Sequence, residues 1–202
     1  MPIVTLPGGE LRDEIRQPLY DTVDLAAGDL LAGTRRFFSS VTETGGVPKS
    51  LLKTNMKQAG QLETAVSFRV QGLCFDAQNY QNANADILPV VLEKSSLRLA
   101  VGVKDYWAGP ARFAAGRMVE TGVAGTGLAA GRTHQQYGWA AVQPIVFQGK
   151  HVIDINPLQN FQVSWEILAQ DLTTAENALT IAAGSEIPFV MSLKGLLRRP
   201  VQ

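Results

Sequence analysis

The sequence predicts an all-β protein built as an antiparallel sandwich. Two stretches alternate strictly between apolar and polar residues, Leu97, Leu99, Val101 and Val103 in one and Phe161, Val163, Trp165 and Ile167 in the other. That is the period of a strand with one buried face. About eight strands of roughly five to eight residues can be drawn, separated by turn-forming residues. Long amphipathic helices and regular βαβ alternation are missing from the pattern, which disfavours a parallel doubly wound sheet. A chain of 202 residues suits one large domain with a real core.

Residues 1–18 mix Pro2, Pro7, Gly8, Gly9 and Pro18 with charges and show no periodicity. They read as an N-terminal arm that serves assembly more than folding, ahead of a single domain over residues 19–202. Strands follow at Leu19–Leu25 and Thr34–Val41, joined through Gly28 and Gly33. Ser50 and Gly60 bracket "SLLKTNMKQAG" as N-cap and stop of a short helix. In "LETAVSFRVQGLCFDA" the residues Val66, Phe68 and Val70 share a face, and Gly72 marks a bulge.

A second short helix is expected between Asn84 and Lys94, with Pro89 tolerable only in its first turn. The strand from Leu97 to Val103 comes next. From Ala108 to Gly138 the chain is rich in Gly and Ala and reads as a long loop. Short strands return in "AAVQPIVF", "KHVIDI", "FQVSWEI", "ALTIAA" and "IPFVMSL". In the last of these Phe189, Met191 and Leu193 face inward. Gly195 should then release the chain from the sheet and leave Arg198, Arg199 and Pro200 outside.

Composition narrows the function. Hydrophobic residues make up 46% of the chain but charged ones only 18%, below the roughly 25% usual for soluble domains. So sparse a charged surface suits self-association. The 18 basic and 18 acidic residues cancel, removing the main electrostatic argument for nucleic-acid binding. Cys74 is the single cysteine, which rules out an intrachain disulfide and a four-cysteine zinc site. No apolar run reaches membrane-spanning length, and carboxylates and prolines stand where a signal peptide needs a basic head and an apolar middle. A soluble, non-exported protein is expected.

Catalytic motifs find no support. Gly125, Gly127 and Gly131 are spaced one residue too far for a dinucleotide fingerprint, and no P-loop sequence occurs. His134 and His151 are the only histidines; Asp154 lies three residues from His151, which on a strand would turn the two to opposite sides. Neither histidine has a nucleophile motif beside it, and Cys74 falls within a strand pattern as a small buried residue. Asp21 with Asp24, and Asp13 with Glu14, read as solvated carboxylates, not a hydrolytic pair. Trp165 belongs to a core face, while Trp107 and Trp139 sit at strand ends suited to a rim or subunit contact. Arg198 and Arg199 give only a weak signal for nucleic-acid contact, and a solvated terminus or a contact with a neighbour's carboxylate is the favoured reading. No catalytic residue, cofactor or metal is expected.

The order of "YDTVDLAAGDLLAGTRRFFSS", "KTNMKQAGQLETAVSFRVQGLCFD", "LRLAVGVKDYWAGP", "FQVSWEI" and a closing strand into "LKGLLRRPVQ" resembles the major capsid proteins of tailless icosahedral bacteriophages. The resemblance covers most of the chain from Tyr20 to Gln202 and rests on strand order and short phrases. It implies a viral jelly roll, two antiparallel four-stranded sheets with short helices in loops, and the strand count allows one such barrel. It further implies a structural coat protein that self-associates into capsomers and an icosahedral shell around a genome. Other coat or vertex proteins would be partners, and the location would be the virion after synthesis in the host cytoplasm. Gly122–Gly131 and "NYQNANAD" would project as loops. The rival reading is a lectin-like or cupin-like sandwich binding a sugar at Trp107 or Trp139.

Overall fold

The computed structural model describes residues 3–5, 11–43, 45–77, 87–115, 118–119, 136–137, 145–181, 183 and 186–201. Its strands are β1 (Ile3–Thr5), β2 (Leu11–Arg16), β3 (Leu19–Leu25), β4 (Gly33–Phe37), β5 (Ser67–Ala77), β6 (Ser95–Val101), β7 (Lys104–Pro110), β8 (Met118–Val119), β9 (Gln136–Tyr137), β10 (Ile145–Val146), β11 (Ile153–Ile155), β12 (Phe161–Ile167) and β13 (Ile187–Pro200). Two short helices, α1 (Ile87–Lys94) and α2 (Thr174–Asn177), lie in connections.

The strands form an all-β protein with two main antiparallel sheets, of seven and four strands. The expected four-and-four division gives way because β1, β2 and the separate pieces β10 and β11 broaden one sheet. In that sheet β13 is central. One edge of β13 pairs with β5 from Phe189 to Arg198; the other pairs with β3 through Ile187–Leu193 and then with β2 through Leu196–Pro200. The smaller sheet runs β4-β12-β6-β7. Pairings nest: β6 with β7, β5 with β10 and β11, β4 with β12, and β3 with β13.

Alternation explains the core. Phe161, Val163, Trp165 and Ile167 are buried, with their neighbours half-buried. Facing them from the larger sheet are Phe75 and Phe189, with ring centroids 5.5 Å and 4.7 Å from Trp165. Phe37 of β4 completes the cluster at 6.0 Å from Phe75. Each fully buried side chain of this size contributes roughly 1.5–3 kcal/mol, so the rings bind the sheets face to face. The Arg35 guanidinium caps Trp165 at 5.2 Å and donates to the Leu30 and Leu31 carbonyls.

Several expectations need correction. Val103 does not extend its strand: with Gly102 at φ +61 it forms the tight turn between β6 and β7, and it is fully exposed. Residues 50–60 make one helical turn, Thr54 N–H to Ser50 O at 3.0 Å, and then leave it. Asn55 is drawn to β3 instead, its N–H donating to Tyr20 O while its side-chain oxygen accepts from Tyr20 N–H. Among its described residues "ALTIAA" forms no strand, contributing a bridge from Thr180 to Leu30 and the Ile181 carbonyl that accepts from Gly28 N–H. The chain does not leave the sheet at Gly195. The strand continues to Pro200, and Arg198 and Arg199 lie opposite Glu14 and Asp13 of β2. Gly195 is needed for close approach, since a Cβ there would collide with Arg69 O and lie 2.9 Å from Phe68 Cζ. Residues 11–16 are thus part of the sheet, with Ile15 beside the partly buried Leu197.

Residues 38–43 and 45–66 strap the free edge of β3. Asp21, fully buried, accepts the Phe38 N–H at 2.6 Å and the Lys49 ammonium at 2.8 Å. Its carboxylate thereby holds Phe38 at φ +65, a conformation that a bulky residue otherwise avoids. Thr22 and Asp24 bind Lys53 O and the Lys53 ammonium. An edge that could pair with a foreign strand is covered.

Candidate functional site

Four irregularities of the large sheet fall in one row across its strands. Gln17 and Pro18 interrupt the run from β2 to β3 opposite the register shift at Lys194 and Gly195. On β5 the extra residue is Gln71, between Val70 and Gly72, as the bulge expected at Gly72 requires. Beyond it, β10 ends at Val146 and β11 starts at Ile153, with Phe147 N–H donating to Gln71 O at 2.7 Å. Together they open a groove of about 410 Å³ on the outer face.

Its lining combines two glycines with a few larger residues. Gly72 and Gly195 line it without side chains, each where a neighbouring backbone comes close; at Gly72 a Cβ would sit 2.6 Å from Ile145 O. Pro18 and Val146 supply apolar surface, and Arg16 and Lys194 supply charge. Neither cation closes an ion pair among the described residues, whereas the neighbouring charges on the same sheet are matched in register: Arg198 with Glu14 at 2.8 Å, Arg199 with Asp13 at 3.9 Å, and Arg69 with Asp154 at 2.8 Å. Cross-strand pairs of this kind each add roughly 0.2–1 kcal/mol. Asp154 also lifts the Arg69 pKa, chiefly through its hydrogen bond. Arg16 and Lys194 are left to attract an anion.

Where β12 passes into β13, carboxylates outnumber cations: Glu93, Glu166 and Asp171 line a cleft of about 470 Å³ together with Lys94 and Leu168. Residues 168–186 connect these strands and touch residues 26–32 through the Gly28 N–H to Ile181 O bond and the Leu30–Thr180 bridge. This end carries Asp29, Glu93, Glu166, Asp171, Glu176 and Glu186, and among the described residues none of them closes an ion pair. Exposed Leu168 stands between Glu166 and Asp171, in a surface turn anchored by buried Leu172 and by Asn177 donating to Ala169 O and Leu172 O. A capping box between Thr173 and Glu176 fixes its last turn. Thr173's backbone N–H holds the Glu176 carboxyl below its usual range.

The residues singled out in the sequence do not converge. Asp21 and Asp24 serve separate lysines, Lys49 and Lys53, and Lys53 is pushed upward by its hydrogen bond to Asp24. Asp13 and Glu14 serve separate arginines. His151 lies in a short turn beside an open cleft of about 530 Å³ lined by Tyr106 and Phe147, while Asp154 binds Arg69. Cys74 is half-buried, and burial pushes its thiol pKa up, away from nucleophile chemistry. Trp165 is fully buried in the core. Trp107 is half-buried, its ring against Gly109. His134, Trp139, Gly122–Gly131 and the "NYQNANAD" segment lie outside the described residues. Among the described residues no group of three or more His, Cys, Asp or Glu is placed to hold a metal ion, and no helix is long and apolar enough to cross a membrane.

The groove at Arg16 and Lys194 was missed by sequence reasoning. Its parts are far apart in the chain, and only the register aligns them. In comparisons with known protein families, with curated proteins and with solved structures, the chain matches none.

Proposed function

We propose that the chain is a single viral jelly roll and acts as a structural coat subunit, assembling with copies of itself into an icosahedral shell around a genome, without catalysis. The observation that carries this reading is the nested pairing. With β3, β4, β5, β6, β7, the β10–β11 pair, β12 and β13 counted in chain order, the first pairs with the last, the second with the seventh, the third with the sixth and the fourth with the fifth. A hairpin of eight strands rolled into two sheets gives this nesting, the arrangement of a jelly roll.

Jelly rolls serve capsids, lectins and cupins alike, so the surface must choose between roles. Leu51, Leu52 and Val103 are exposed by more than three quarters, which suits burial against a neighbour. Trp107 rests on Gly109 instead of offering an open stacking face for a sugar. Other coat or vertex proteins are further partners under this reading. Negative-stain microscopy and sedimentation of the purified protein test it. Closed particles or large regular oligomers are expected; a monomer or small oligomer that binds glycans would overturn it in favour of a lectin.

A further inference from the structure

We propose that copies of this chain associate head to tail, with the acidic surface around Leu168 of one copy packed against the Arg16–Lys194 groove of the next. This deepens the coat reading and rests on it. Among the described residues, the unpaired carboxylates Glu93, Glu166 and Asp171 gather around the single cation Lys94 where β12 passes into β13, an acidic excess, while Arg16 and Lys194 stand unpaired in the crease of the large sheet. In a chain with no net charge, this separation makes the two surfaces complementary to each other.

Shape and chemistry agree with charge. The groove holds about 410 Å³ over a floor of Gly72 and Gly195, with Pro18 and Val146 as apolar walls. Leu168 is an exposed apolar side chain on a hydrogen-bonded surface turn, at a cleft shared with Glu93, Lys94, Glu166 and Asp171. An exposed aliphatic side chain packing on the apolar part of the groove while acids meet cations around it has the buried centre and polar border of a specific interface. The contact joins two different patches, so it is heterologous: it propagates from copy to copy and closes only when the rotation between copies allows. A nucleic acid is the weaker occupant, because Arg69, Arg198 and Arg199 are already neutralised by Asp154, Glu14 and Asp13.

Charge reversal tests it on the full chain. R16E/K194E and E93K/D171K all fall on exposed or half-buried surface, and circular dichroism with thermal melts establishes that both double variants fold. Each alone should weaken self-association in sedimentation velocity by at least roughly tenfold in Kd. An equimolar mixture of the two should recover it, the labelled variants sedimenting together. Association that persists in either folded variant, or that the mixture does not restore, overturns the contact; if particles still form, the coat reading survives without it. A wild type that stays monomeric at every concentration and salt level overturns both. Loss of single-stranded oligonucleotide binding in R16E/K194E, with self-association unchanged, gives the groove to a polyanion and overturns the proposal.

Discussion

Lys49 places its ammonium 2.8 Å from the Oδ1 of Asp21, a carboxylate with no exposure to solvent, and the same ammonium donates to Thr22 O at 2.9 Å. Removing one partner of such a pair leaves a buried charge uncompensated. Asp21→Ala and Lys49→Met should each cost about 3–5 kcal/mol. Asp21→Ala also removes the acceptor that holds Phe38 at positive φ. Urea unfolding of the singles and the double variant would measure the coupling; losses under about 1 kcal/mol, the range of a surface pair, would contradict the assignment.

Gly195→Ala should be among the most damaging glycine substitutions. The added Cβ meets the Arg69 backbone and the Phe68 ring, and neither can move without opening the β5–β13 ladder. Overpacking of this kind costs about 1–3 kcal/mol or more. Nothing lies within 4 Å of a Cβ built at Gly46, although its φ of +80 makes any side chain there mildly strained. A melting temperature for Gly195→Ala equal to or above that of Gly46→Ala would refute the close approach.

Truncation after Leu193 should abolish the native sheet. It removes the partners of β2 at Leu196–Pro200 and those of Ser67–Val70 on β5, and unpaired edges promote aggregation. Light scattering and circular dichroism on the truncated chain check this. A soluble product with cooperative unfolding would show that β13 beyond Leu193 is dispensable.

Asp76 provides a pH test. Burial raises its pKa in the fold, against the lowering effect of the Ala77 N–H. The folded state therefore binds the proton more tightly than the unfolded chain, and stability falls as pH rises through the carboxylate range. Asp76→Asn should melt higher than wild type at neutral pH, with the difference vanishing in acid. An unchanged difference between pH 3 and pH 7, roughly the span around an ordinary carboxylate, would rule out this titration.

Much of the fold was legible where one face of a strand meets the core. Phe161–Ile167 is a strand with the boundaries that alternation assigned and Leu19–Leu25 one with those that the following turn glycines assigned, and Pro89 falls in the first turn of α1, where its missing N–H breaks nothing. Failures came where distant backbone decided. Ser50 does open a helical turn, but Thr54 and Asn55 find better partners on β3. The charges of "RDEIR" looked aperiodic because their complement, "LLRRP", lies at the far end of the sequence; side by side they form two ion pairs. Gly195 read as a stop because a glycine required for close approach and one that ends a strand look the same in sequence. The groove carries no local signal, since four breaks on separate strands must align to make it.

The position of β13 has a consequence for biosynthesis. It is the shared neighbour of β2, β3 and β5, yet it is translated after all of them. At roughly 5–20 residues per second, ~160 residues must pass between β3 and β13, leaving those edges unsealed for about 10–30 s on each ribosome. Every ladder in the middle of the large sheet is also long-range, which slows closure further. Nascent chains arrested before Ile187 should stay open to protease, and release of the last strand should convert them to a resistant form. In a cell making many copies at once, that interval is when a chaperone has the most to do.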